Sequence, residues 1–390
     1  MSRLFTFFAF LLMTTLSPAA ADDLKDCYQS SDRDLAIRAC STLIESGGAT
    51  EANAAIIYLN RGNGYARKGE YDKAIADYNE AIQHDSKLAP AFNIRSLAYL
   101  AKHESDRAII DSSEAIRLDP KMATAYVNRS GAFEQKGDFD RAIADCSEAI
   151  HLDPKMAAAY YGCGSAYQAK GEYDKAIADY SKLISLEPKM GPGHIRRAEV
   201  YHHMGEYDKA IADYKEALRL HPKDAVAYGG LGGAHTEKGE LDQAIADYNE
   251  AIHINPKLAF AYNYRGYAYA AKGEYDKAIA NYNEAIRLNR KDFYPYRNRG
   301  EAYLRKGNLA AAFADFSQAI ELKPDYAGAY LYRGRAYLQD GKNDQAFADI
   351  SKALQLNAKD PENFEARWEI YEAKGLRELA IADYRDVLVV

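Results

Sequence analysis

The sequence has 390 residues, of which 48% are hydrophobic and 27% are charged, the ordinary composition of a soluble folded protein. Its net charge of −7 argues against a nucleic-acid or anionic-membrane partner, because such a partner would favour a basic surface. Tyrosine is the unusual residue, with 32 copies, and its placement in a repeat explains the excess.

The start of the chain, residues 1–21, has the pattern of an export signal. Arg3 gives a short basic start, an apolar run follows from Leu4 to Leu16, and residues 17–21 read Ser-Pro-Ala-Ala-Ala. This pattern predicts a signal peptide that is cut after Ala21, and therefore a periplasmic or secreted protein without membrane insertion. The apolar run is short for a transmembrane helix, and an uncleaved anchor is the alternative.

Residues 22–54 precede the regular part of the chain and contain two cysteines, Cys27 and Cys40. The stretch 31–40 resembles the second half of a repeat, with Ala36 in the place that Ala74 takes later. We interpret residues 22–54 as a degenerate capping half-repeat. An exported protein meets an oxidising compartment, so we expect a Cys27–Cys40 disulfide, with two buried thiols as the alternative.

The segment Gly-Glu-Tyr-Asp-Lys-Ala-Ile-Ala-Asp-Tyr recurs along the rest of the chain. It occupies residues 69–78, returns unchanged at 171–180 and 205–214, and returns with one change at 273–282. The starting positions 69, 171, 205 and 273 differ only by multiples of 34. A fixed period of this length is typical of a stacked array of helical hairpins. Residues 55–390 divide accordingly into nine full units and a short tenth unit that begins at residue 361.

Each unit is predicted to contain two helices. In residues 157–190, apolar or small side chains recur three or four residues apart before Gly171 and again after it. Gly171 should end the first helix in a left-handed conformation, and Pro188 should end the second. The repeated acidic residues of the second helix, such as Asp77 and Glu80, are expected on its solvated face.

This pattern resembles the tetratricopeptide repeat family. In unit 259–292 the signature positions hold Tyr262, Gly266, Tyr269, Ala278, Tyr282 and Ala285, whereas Arg290 stands where the family has proline. The resemblance covers the chain from about residue 55 to its end. It implies an all-α, right-handed superhelical solenoid of antiparallel helix pairs. It also implies a non-catalytic interaction scaffold that needs no cofactor.

The resemblance further implies that defined positions of each first helix line a concave groove for a protein or peptide partner. In the later units we expect this groove to be formed by Arg196, Glu199, Asn263, Tyr264, Tyr267, Arg297, Asn298, Glu301, Tyr332 and Arg335. Tyrosine offers rigid contact area, and arginine and asparagine can pair with a peptide backbone or carboxylate. Gly229, Gly230 and Gly233 are expected to open space between them. An unused solvated face is the alternative.

Other sites are less well supported by the sequence. No catalytic motif stands outside the repeat pattern, so we predict no enzyme. His194, Glu199, His202 and His203 form the one histidine cluster. They need not converge on a metal ion, because His194 falls at a core position whereas His202 and His203 fall on the groove. Some family members bind the C-terminal carboxylate of a partner with a set of lysine, asparagine and arginine side chains. Only Arg297 and Asn298 match part of that set here, so this kind of binding is not expected. Two further cysteines, at positions 146 and 163, occupy core positions, where buried thiols are favoured over a disulfide.

The last unit departs from the pattern. Trp368 stands where other units have a small residue, and the chain ends in an apolar Val-Leu-Val-Val segment, 387–390. No solvating helix follows, so this end could support a homodimer or could simply fray. A structural or assembly role in a cell-envelope complex, through the convex face and this terminal unit, is therefore the alternative function.

Overall fold

The computed structural model describes residues 18–376 and residue 378, and all regular elements within these residues are α-helices. The helices in the first half are α1 (Pro18–Gln29), α2 (Arg33–Glu45), α3 (Ala54–Arg67), α4 (Tyr71–His84), α5 (Ala89–Ala101), α6 (Ser105–Leu118), α7 (Ala123–Gln135), α8 (Phe139–Leu152), α9 (Ala157–Ala169) and α10 (Tyr173–Leu186). Those in the second half are α11 (Gly191–His203), α12 (Tyr207–Leu220), α13 (Ala225–Glu237), α14 (Leu241–Ile254), α15 (Ala259–Ala271), α16 (Tyr275–Leu288), α17 (Phe293–Arg305), α18 (Leu309–Leu322), α19 (Ala327–Gln339), α20 (Asn343–Leu356) and α21 (Pro361–Ala373).

The chain divides into two compact units, Met1–Lys189 and Met190–Val390. Within each unit, consecutive helices pack as antiparallel hairpins, such as α3 with α4, and each hairpin packs on the next. Each unit is therefore an all-α solenoid of helix pairs, which confirms this part of the prediction. Most of the predicted signal peptide and the apolar C-terminal end that was considered for self-association lie outside the described residues.

The turn inside each hairpin follows the expected glycine rule. Gly171 has a φ of 74°, and the N–H of Glu172 donates to the carbonyl of Tyr167 at 2.9 Å. This left-handed turn closes the first helix and satisfies a carbonyl at its end. In unit 89–122 the same place holds His103 with a φ of 58°, the one positive-φ residue other than glycine in the described part of the chain.

The two helices of a hairpin approach closely because a small residue faces a large one. A Cβ atom added to Gly164 would lie 2.7 Å from the ring of Tyr180, which is fully buried. A side chain at Gly164 would therefore displace the Tyr180 ring. The ring occupies the space that the absence of a side chain leaves free. The same arrangement pairs Gly62 with Tyr78, Gly232 with Tyr248, Gly266 with Tyr282, Gly300 with Phe316 and Gly334 with Ile350.

Most hairpins also contain a buried ion pair, and the expectation that its aspartate lies on the solvated face is wrong. Asp77 is 4% exposed and accepts from Arg61 at 2.7 Å, whereas Glu80 is exposed as expected. The aspartate lies beside the buried ring position, so it faces the first helix instead of solvent. The same pairing joins Arg95 to Asp111, Arg129 to Asp145, Arg197 to Asp213, Arg299 to Asp315 and Arg333 to Asp349.

This arginine also links neighbouring hairpins. The guanidinium of Arg299 donates to Asp315 in its own hairpin and to the side-chain carbonyl of Asn283 in the preceding hairpin at 2.5 Å. Arg95 and Arg333 make equivalent contacts with Asn79 and Ser317. We call this arrangement the arginine clamp. It connects the buried aspartate of one hairpin to the second helix of the preceding hairpin.

One hairpin replaces the clamp with a covalent bond. Cys163 stands at the arginine position and forms a disulfide with Cys146, so α9 is bonded to α8, and the expectation of two buried thiols is wrong. The Cα atoms of the two cysteines are 5.6 Å apart. A second disulfide joins Cys27 in α1 to Cys40 in α2.

The same replacement leaves Asp179 without an arginine. Its side chain is half-buried, and among the described residues no ion pair or hydrogen bond to it is found. Burial disfavours the charged carboxylate and raises the pKa of Asp179 to about 6. Asp179 therefore loses its proton in the native state at a higher pH than it does in the unfolded chain.

We expect Arg299→Leu to destabilise the second unit strongly, because Asp315 would keep a buried charge without its partner. Removing one member of a buried ion pair costs about 3–5 kcal/mol. The free energy of unfolding can be measured by urea denaturation followed by circular dichroism. Lys306→Ala is the matched control, because it breaks an exposed ion pair with Asp276 worth about 0–1 kcal/mol. Equal effects of the two substitutions would contradict the clamp.

Asp179→Asn should raise the melting temperature at pH 7.5 and leave it nearly unchanged at pH 3.5. The folded-state pKa lies above the unfolded value, so the native protein loses stability as the pH rises from about 4 to about 6. Thermal unfolding across this window should show the two curves separating as the pH increases. Parallel curves for the variant and the unmodified protein across this window would contradict the raised pKa of Asp179.

Candidate functional site

A groove of about 380 Å³ lies among α11, α12, α13, α14, α15 and α17 of the second unit. Six side chains predicted for the groove line it: Glu199, His202, His203, Tyr264, Tyr267 and Asn298. The other lining residues are Tyr214, Val226, Gly229, Gly230, Gly233, Thr236, Glu237, Tyr248 and Phe260. We call this site the aromatic groove, because five of its residues carry aromatic rings in addition to the histidines.

Gly229, Gly230 and Gly233 of α13 were all expected to open space in the groove, but only one of them does. A Cβ atom on Gly229 would lie 2.6 Å from the ring of Phe260, and one on Gly230 would collide with the ring of Tyr214. These two glycines therefore seat aromatic rings against the helix. Gly233 alone faces free volume, since the nearest atom to its added Cβ would be Nε2 of His202 at 3.7 Å.

Some tyrosine rings of the groove are buried, and others are exposed to solvent. Tyr248 is fully buried, and its ring stacks on that of Tyr264 with a centroid separation of 6.3 Å and an interplanar angle of 14°. Tyr264 and Tyr267 remain 50% and 46% exposed. Burial raises the pKa of Tyr248, so this ring stays a neutral phenol at physiological pH. Tyr264 thus rests on a fixed support.

The charged groups of the groove are acidic. Glu199 pairs with Arg196 at 2.9 Å, whereas Glu237 is exposed, with no ion pair to it in the part of the chain that the structure describes. Burial lowers the pKa of His202, so its imidazole is neutral at pH 7. No lysine or arginine is among the residues that line the groove.

Most of the other predicted site residues form a network that begins at Asn298 of the groove and extends over α15, α17 and α19. Asn298 donates to Asn263 at 3.0 Å and accepts from Arg297 at 2.8 Å. The Arg297 guanidinium lies 4.5 Å from the ring centroid of Tyr332 and 3.5 Å from the carboxylate of Glu301. Asn263 is 6% exposed and so has little surface to offer a partner. Arg335 pairs with Glu362 at 3.2 Å.

The histidine cluster does not come together as a metal site. His194 contacts Asp213 at 3.1 Å in the core, while His202 packs edge-on against His203 and Tyr207. Among the residues that the structure describes, no group of three or more His, Cys, Asp or Glu side chains is arranged to hold a metal ion. His235 instead serves as a core side chain and lies 2.6 Å from Asp247.

The buried half of the aromatic groove was not predicted from the sequence. Tyr214, Tyr248 and Phe260 were not assigned to the site, because the first two occupy a core position of the repeat. The pair Gly229-Gly230 was the available signal. Two adjacent glycines in a helix indicate close approach of other groups on two sides.

Comparison with known families supports the repeat assignment. Profiles described as TPR repeat match residues 131–171, 266–307 and 300–341. Profiles described as tetratricopeptide repeat match residues 55–88, 157–190, 195–259, 247–280 and 327–360. Together these matches cover more than half of the chain. A search of curated proteins finds no match to the sequence.

Solved structures with a similar fold include the APC/C hetero-tetramer Cut9-Hcn1, which is 18% identical, with a TM-score of 0.55. The alignment covers 87% of this chain and 83% of that chain. A tetratricopeptide repeat protein from Parabacteroides merdae is 23% identical, covers 64% of this chain and 98% of its own, and has a TM-score of 0.54. At these identities the likeness shows the fold alone.

Two neighbouring glycines of α13 should respond oppositely to alanine. In Gly232→Ala the new methyl group would lie 2.8 Å from the buried Tyr248 ring, so the melting temperature should fall. In Gly233→Ala it would meet only ordinary contacts, and the better helix propensity of alanine, about 0.5–1 kcal/mol, should raise the melting temperature. Thermal unfolding measures both. A shift of the same sign in both variants would contradict the geometry of the groove.

Proposed function

Because the chain belongs to the tetratricopeptide repeat family, we propose that it is an exported, non-catalytic interaction scaffold. The aromatic groove of the second unit binds a segment of a protein partner. The observation that carries this proposal is the pair of half-exposed rings, Tyr264 and Tyr267, which line the same groove as Gly233. Apolar and aromatic lining with a few polar groups is typical of a binding site.

The groove is built on helices, which favours binding by a preformed surface. Tyr264 is supported by Tyr248, and Tyr248 is locked against Gly232. Rings held in this way lose little conformational freedom when a partner arrives, so less of the contact energy is spent on ordering. The volume of about 380 Å³ lies at the lower end of the range for ligand pockets, which suits one or two side chains of a longer segment.

The lining residues favour binding over catalysis. A covalent mechanism needs a nucleophile beside an oriented base. Thr236 is the one lining residue with an aliphatic hydroxyl. That hydroxyl donates to the carbonyl of Gly232 at 2.8 Å and not to a base. Among the described groove residues, no cysteine, serine or lysine accompanies the histidines.

Two features support export. Residues 1–21 carry the pattern of a cleavable signal, and two disulfides join cysteines in α1–α2 and α8–α9. Disulfides of this kind form and persist in oxidising compartments such as the periplasm. None of the described helices is both long and apolar enough to span a membrane.

The groove is tested by capturing partners with residues 22–390 from an envelope extract. Tyr264→Ala with Tyr267→Ala should lose proteins that the unmodified chain retains, as identified by mass spectrometry. The control is Leu97→Ala with Ile110→Ala, which removes exposed apolar side chains of the first unit and should leave retention unchanged.

A photo-crosslinking amino acid at position 236 should label the same protein that the tyrosine variant loses. If the tyrosine variant retains every protein and no label appears, the groove is not the binding site. The convex face and the last described helix, α21 with Trp368, would then be examined for the alternative envelope role.

A further inference from the structure

Cations and aromatic rings are matched systematically within this chain. On the first helices an arginine lies over the ring three residues before it, as Arg265 does over Tyr262 at 5.4 Å. At the hairpin turns a lysine or arginine lies over another ring, as Lys175 does over Tyr167 at 5.1 Å. Such contacts are attractive because the face of the ring is negative.

The exposed rings of the aromatic groove stand at other positions of the repeat, and in the part of the chain that the structure describes they have no such cation over them. No cationic side chain of the described residues lies over Tyr264, Tyr267 or Phe260, and no lysine or arginine lines the groove. Glu237 at the rim has no cation beside it in the described structure. The groove therefore offers ring faces and a carboxylate, the two groups that elsewhere in this chain hold a cation, without the cation itself.

The neighbouring helices show what completes such a site. The guanidinium of Arg297 lies 4.5 Å from the Tyr332 ring centroid while its nearest carboxylate oxygen, on Glu301, is 3.5 Å away. A tyrosine face and a glutamate, together with the side-chain carbonyl of Asn298 at 2.8 Å, thus hold a largely buried arginine in this fold. The groove repeats the tyrosine face and the glutamate on its own helices.

We propose that the aromatic groove takes a lysine or arginine side chain from the partner segment, with the cation over the exposed tyrosines and beside Glu237. This inference rests on the proposed binding function and specifies its ligand. The net charge of −7 adds a long-range attraction for a basic segment. An acidic segment would meet unpaired Glu237, and its own carboxylate would find no cation in the groove lining.

The test uses residues 22–390 and four peptides, acetyl-Ala-Leu-Xaa-Leu-Ala-amide, where Xaa is lysine, arginine, norleucine or glutamate. Norleucine matches the lysine stem without its charge. Binding is followed by nuclear magnetic resonance titration of the tyrosine ring signals. The lysine and arginine peptides should bind about five- to tenfold more tightly than the norleucine peptide at low salt. The difference should shrink in 0.5 M NaCl because salt screens exposed charges, at about a 4 Å Debye length.

Two variants locate the effect. Glu237→Gln should reduce the preference for lysine over norleucine while leaving norleucine binding unchanged. Glu187→Gln, an exposed position in the first unit that changes net charge equally, should keep the full preference. Both side chains are exposed, so neither variant is expected to disturb folding.

Each outcome decides the proposal. Equal binding of the lysine and norleucine peptides would overturn the inference while leaving a peptide-binding groove in place. Preference for the glutamate peptide, or no binding of the basic peptides at millimolar concentration, would also overturn it. If any of these results occurs while the tyrosine variant still loses its captured partners, the groove binds a ligand of another chemistry.

Discussion

The structure depends on how closely two helices of a hairpin can approach. A glycine such as Gly266 lets a ring such as Tyr282 lie against the helix backbone, and the buried ring then fixes the spacing of the pair. At this spacing an arginine of the first helix can reach an aspartate of the second. The same arginine can also reach the preceding hairpin, so the contact inside one repeat sets the contact between repeats. Stability in such an array is a sum of these two kinds of contact.

Three repeats depart from the arginine clamp. In one repeat Cys163 takes the place of the arginine and forms a disulfide with Cys146. In another, Asn281 takes the place of the aspartate and accepts from Arg265 at 2.8 Å. In α13, Leu231 takes the arginine position and His235 supplies the contact to the aspartate. The repeat that contains α13 is also the one that carries the glycines of the aromatic groove. Departure from the repeat therefore coincides with the surface that we propose for binding.

The sequence allowed the fold to be predicted because its signals are local. The repeat period, the turn glycines and the helix lengths depend only on neighbours along the chain. The site was predicted in part: Tyr264 and Tyr267 follow from their positions in the repeat. Tyr248, Asp77 and the Cys146–Cys163 bond were missed or placed wrongly, because each depends on which side chain lies opposite. Rings assigned to the core by position can still form the wall of a groove when glycine faces them.

The disulfide between α8 and α9 has a consequence for how the first unit comes apart. A repeat array usually unravels from its ends, one repeat after another, since each repeat is held only by its neighbours. Cys146 and Cys163 belong to adjacent repeats, so neither repeat can open freely while the other stays folded and the bond is intact. We therefore expect these two repeats to behave as one cooperative block. Mechanical pulling or proteolysis starting at the N-terminus should pause there, at a boundary that the regular period alone would not create.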